Sequence, residues 1–181
     1  MKISAGKADS FVKAPPAELR VALIYGPDEG LVRERAATLG ATVVADLADP
    51  FLVCDLTGGD ISGDPARLAD EVAAIALTGG RGLVRVRDSV DGILKAVQTI
   101  LDGAPGDALT ILQAGQLGPR SALRKLAESS DDAAAIPCYA DDTASLERLI
   151  RETLSANDVR IKSEAARWLV GRLGSDRAIS R

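Results

Sequence analysis

The chain has 181 residues, of which 46% are hydrophobic, 27% charged and only 3% aromatic, a globular composition with room for one substantial core plus a small second lobe. Histidine is absent, which excludes Ser-His-Asp triads, Cys-His nucleophiles, HExxH sites and Cys/His zinc knuckles. The 22 basic and 26 acidic residues leave a net charge of −4, which argues against gripping nucleic acid through the overall field, while leaving room for a local basic strip.

Short β-branched runs alternate with stretches of helical period, the signature of a βαβα chain. Residues 21–25 (VALIY) read as a fully buried parallel strand closed by Gly26. A helix follows over 28–39, with Leu31, Ala36 and Leu39 inward. Residues 51–56 (FLVCDL) are the second strand, ended by a turn at Thr57-Gly58-Gly59-Asp60. Asp64 and Pro65 then suit the cap and first position of a helix running to about Leu77, with Leu68, Val72 and Ile75 on one stripe and Gly79-Gly80 as its stop. Residues 83–86 form a strand, 90–101 a helix and 108–112 (ALTIL) a further strand. Gly118-Pro119 opens a helix through Ala127, and 133–138 is the last strand. Beyond Tyr139 only helical spacing remains, over 143–154 and 163–173. This divides the chain into an α/β domain, 1–139, and an incomplete helical lobe, 140–181.

Cys54 and Cys138 sit apart within apolar runs and read as two reduced, buried thiols. No apolar run approaches the roughly 18 residues that span a bilayer, and the start MKISAGKADSFVKAPP carries no signal-peptide core. A soluble, cytoplasmic protein is expected.

In a βα-alternating chain, the turn after the first strand is where a nucleotide-binding protein places its phosphate cradle. Here it reads Gly26-Pro27-Asp28-Glu29-Gly30-Leu31-Val32-Arg33. A GxxxxGK[ST] loop registered on Gly26 would need Gly, Lys and Ser or Thr where Leu31, Val32 and Arg33 stand. Asp28 and Glu29 would repel a triphosphate, yet each stabilises an empty helix start by about 0.3–1 kcal/mol. The loop is expected to cap its helix, with no nucleotide cofactor. Asp88, ending the strand LVRVRD beside Ser89, reads as a turn or cap residue, so no metal site and no catalytic residue is assigned.

The ordered pieces VALIYGPDEGLVRE, ALTGGRGLVRVRD, ALTILQAGQLGPRSALRKLAE, AAIPCYADD, LERLIRETL and IKSEAARWLVGRLGSDR resemble the delta subunit of the bacterial DNA polymerase III clamp loader. The resemblance implies a parallel-sheet AAA+/P-loop-NTPase-like α/β domain with a degenerate phosphate loop (Gly26, Asp28, Glu29, Gly30), followed by a small helical lid lobe. The resemblance implies a helical collar domain beyond residue 181, and an end at Arg181 is then what trypsin-like cleavage or a designed truncation is expected to leave. The resemblance further implies DNA replication as the setting. The subunit would bind and open the β sliding clamp without hydrolysing ATP, alongside tau/gamma and delta prime subunits of the polymerase, a nucleotidyltransferase complex, and with DNA inside the assembled complex.

In the family a hydrophobic helix tip meets the clamp; here that tip is Ile75, Leu77 and Thr78. Leu77 is rotated by about 200° from Ile75 on a helix and points elsewhere; the alternative is core packing under the next strand. Thr78 stands where the family commonly has an aromatic residue. Arg120, Arg124 and Lys125 fit one helical face, either a DNA or subunit interface or a solvated surface. Arg33 and Arg35 are interface candidates beside the disarmed loop, and Trp168 falls on the inner stripe of its helix. The competing reading is an active nucleotide-dependent enzyme, a small kinase or GTPase with an atypical loop.

Overall fold

The computed structural model describes residues 1–76, 81–103, 105–139, 150–151, 153–155, 157 and 159–170. Five strands, β1 (Val21–Tyr25), β2 (Val53–Thr57), β3 (Leu83–Arg87), β4 (Leu109–Ala114) and β5 (Ala133–Pro137), form one all-parallel sheet in the order β2-β3-β4-β1-β5. Val21 pairs with Thr110 on one side and Ala133 on the other, so the first strand is central. All five β1 residues are buried, as a parallel strand covered on both faces requires.

Alternation along the strands splits the core in two. Val21, Leu23 and Tyr25 join Val84, Val86 and Leu112 on one face, under Leu68 and Val72 of α4 (Arg67–Ala76), Val97 and Ile100 of α5 (Leu94–Leu101) and Leu123 of α6 (Ala122–Ser129). Ala22 and Ile24 join Ile111, Ala134 and Ile136 on the other face. There they meet Ala8 and Val12 of α1 (Ala5–Lys13) and Leu31, Ala36 and Leu39 of α2 (Glu29–Gly40).

Several local expectations change. The Thr57–Asp60 turn is the start of a short helix, α3 (Gly58–Gly63): Thr57 Oγ1 accepts from the Asp60 amide while the Asp60 carboxylate accepts from the Thr57 amide, a capping box. Asp64 ends that helix and its Oδ1 accepts from the Ala66 amide, so α4 begins at Arg67. The helix expected from Gly118-Pro119 starts later, capped by Ser121. The helix expected over 90–101 opens with a 3-10 turn, Asp91–Ile93. Helix α1 occupies a segment in which the sequence reading placed no element.

In the region after Tyr139, Ile150 is buried against Leu154, Ile161, Leu169 and Val170, which include the inner face of α7 (Ser163–Val170). Trp168 departs from expectation: it is 60% exposed, because Leu169 and Val170 take the inward positions and Trp168 falls on another side of the helix. Among the described residues no helix is long and apolar enough to cross a membrane.

Candidate functional site

The turn after β1 is shaped by two close approaches. A Cβ on residue 26 would lie 1.7 Å from the Cys138 carbonyl oxygen, so only glycine lets the end of β5 pass. Two residues on, Asp28 caps α2 as expected: its buried Oδ1 accepts from the Leu31 amide at 2.9 Å. Its Oδ2 is buried with no hydrogen-bond partner among the described residues. Glu29 occupies the first turn and is exposed, while Gly30 is buried.

Between α2 and the C-terminal ends of β3 and β4 lies a cleft of about 250 Å³ whose charged and polar lining is Glu29, Arg33, Arg87, Asp88 and Gln113. This is the end of a parallel sheet where ligands usually bind. Asp88 is held at φ 54°, in the left-handed region. The Ser89 amide donates to the Gln113 carbonyl and the Ser89 hydroxyl to Val86 O, which fixes the turn expected there. Gly58 approaches so closely that a Cβ on it would lie 2.3 Å from Asp88 O.

These residues do not fit a nucleoside triphosphate. The Leu31 amide is already taken by a carboxylate, a second carboxylate stands in the first turn, and the cleft carries as many acids as arginines. Its volume also falls below the roughly 300–1,000 Å³ of most ligand sites.

The arginines near the loop have different fates. Arg33 is exposed and lines the cleft. Arg35, an interface candidate on sequence, is buried within the chain: it pairs with Asp9 of α1 at 2.8 Å and donates to the Pro137 carbonyl at 2.6 Å. It also lies 3.6 Å from Cys138 Sγ. Burial pushes the Cys138 thiol up to about 11 despite Arg35. Cys54 is half-buried rather than buried, and desolvation with Glu71 beside it raises it likewise to about 11.

Arg120, Arg124 and Lys125 are not brought onto one face. Arg120 precedes the Ser121 cap and is exposed, as is Lys125. Arg124 turns inward, 5.0 Å over the Tyr25 ring, with Nε on Glu128 at 2.8 Å and Nη1 on the Leu117 carbonyl. Desolvation raises Tyr25 to about 12, and Arg124 opposes that shift. Of the helix tip, Leu77, Thr78 and the Ile75 side chain lie outside the described residues.

Sequence reasoning missed the Asp9–Arg35 pair and the role of Asp91, whose carboxylate accepts from Ser121 Oγ and from the Ala122 and Leu123 amides. No local pattern marks either, since the partners stand 26 and 30 residues or more apart.

A parallel sheet in this order, flanked by helices, gives this chain an α/β fold shared with solved structures of a clamp-loader protein and a branch-migration motor. A solved structure that it resembles over 98% of this chain is the DNA clamp loader delta protein (YqeN) of Bacillus subtilis, with a TM-score of 0.67 at 18% identity. The Holliday junction branch migration motor RuvB of Thermotoga maritima matches over 98% of the chain with a TM-score of 0.56 at 16% identity. The chain spans 55% of the former and 59% of the latter. No family model and no curated protein matches it.

Proposed function

We propose that this domain acts in a clamp loader as a delta-type subunit, which binds and opens the β sliding clamp and leaves ATP hydrolysis to its neighbours. The observation that carries the reading is the likeness, over 98% of this chain, to part of the B. subtilis delta protein, joined to a loop in which the Asp28 carboxylate holds the Leu31 amide that a phosphate would need. The clamp contact is assigned to the end of α4 and the residues that follow it, with Ile75, Leu77 and Thr78, where one buried leucine is worth about 1.5–3 kcal/mol. Tau/gamma and delta prime subunits are the other partners of such a cytoplasmic assembly. DNA inside it would meet exposed residues such as Arg120 and Lys125, while Arg124 is committed to Tyr25 and Glu128.

The test is titration of the cognate β clamp with this chain and with an Ile75→Ser/Leu77→Ser double variant. The wild type is expected to bind and the folded double variant to lose at least tenfold, about 1.4 kcal/mol; equal affinities reject the assignment. The competing reading, an active kinase or GTPase, is opposed by the capping role of Asp28. It predicts that ATP with Mg²⁺ at a hundredfold over Kd adds about 2.7 kcal/mol of stability, a clear rise in Tm, whereas a delta-type subunit shows none.

A further inference from the structure

Outside the cleft, the N-terminal segment and α1 frame a second concavity, of about 580 Å³, lined by Met1, Lys2, Ile3, Ser4, Lys7, Ser10, Phe11 and Ala14. Its helical wall, Lys7, Ser10, Phe11 and Ala14, follows the i, i+3, i+4, i+7 spacing of one face, while Ala8 and Val12 on the same helix point into the core. Its other wall is a sheet edge. Lys2 bridges Ala135 in parallel, with Ala135 N donating to Met1 O and Ile3 N to Ala135 O, 2.9 and 3.0 Å. In such a bridge the neighbours of Lys2 make the bonds to β5, so its own N–H and C=O face away from the sheet. The Met1 amino group donates to the carbonyls of Ala127, Ser130 and Ala133, which pins the segment in place.

We infer that this groove is a docking site for an extended, acidic and apolar segment of a partner protein, added as a further strand beside Lys2. An outward backbone donor and acceptor beside a groove is the arrangement that strand addition uses. Charge sets the partner's chemistry. Lys2 and Lys7 line the groove and, among the described residues, no carboxylate does; Asp9 on the same helix is turned to Arg35. Met1, Ile3 and Phe11 form an apolar floor for alternate side chains of the incoming strand. The inference rests on neither the cleft nor the clamp reading.

The test titrates the full chain into a fluorescein-labelled peptide of alternating Glu and Val, followed by anisotropy, with an alternating Lys–Val peptide as control. Saturable binding of the acidic peptide alone is expected, with slowed hydrogen exchange at the Lys2 amide. Lys2→Glu/Lys7→Glu should weaken it about tenfold without lowering Tm, because both side chains are exposed. Three outcomes overturn the inference: no saturable binding, equal binding of the Lys–Val peptide, or an affinity unchanged in the double variant. Preference for a single-stranded oligonucleotide over the acidic peptide overturns it as well.

Discussion

Arg33 and Arg35 stand two residues apart on α2, and their environments are opposite. The Arg35 side chain, 8% exposed, links α1, α2 and the end of β5 by holding Asp9 and the Pro137 carbonyl together. Replacing it by methionine keeps much of the stem's packing but strips a buried carbonyl and a carboxylate of their donor, at about 1–3 kcal/mol for such a loss. Arg35→Met is therefore expected to lower the unfolding free energy by about 2 kcal/mol in urea titrations. Arg33→Ala, at a solvated position, should stay within about 0.5 kcal/mol. Sequence alone could not separate the two. Helical periodicity locates the inward face of α2 only coarsely, and the Asp9 partner lies on a helix that no apolar run announced.

Among the elements, helix α6 is held at its start by a residue outside it. Ser121 caps it locally, and the Asp91 carboxylate takes the Ser121 hydroxyl and two first-turn amides. The hydrogen bond from Ser121, followed by that from the Leu123 amide, holds the Asp91 carboxyl below its ordinary value of 3.8. A carboxyl depressed in the folded state contributes stability that is complete above its unfolded pKa and is lost as pH falls through the folded one. Unfolding free energy is thus expected to fall as pH drops below about 4, and Asp91→Asn to flatten that fall; an unchanged slope would rule out this cap as its source.

The strands were the legible elements. VALIY matches β1 residue for residue, since a run buried on both faces needs no periodicity to stand out. Helix starts are harder to place: Gly118-Pro119 and Asp64-Pro65 are valid local signals, but Ser121 caps the one helix and Asp64 closes α3, so that the next helix begins only at Arg67. Of the candidate site, the Asp28 cap was readable because its hydrogen bond spans three residues, whereas the cleft's charge balance depends on residues brought together from α2, β3 and β4.

For the whole molecule, the governing fact is that β1 sits between β4 and β5. Val21 therefore touches nothing of its sheet until residues 110 and 133 arrive. A fragment ending at residue 105 keeps β2 and β3 paired yet leaves β1 with neither neighbour, so it is expected to show no cooperative unfolding in urea; a sigmoidal transition would contradict this. On the ribosome the same topology leaves β1 without its first strand neighbour until residue 110 is made and without its second until residue 133. The segment most in need of shelter is made first and sheltered last, which gives a chaperone such as a nascent-chain holdase its longest window on this chain.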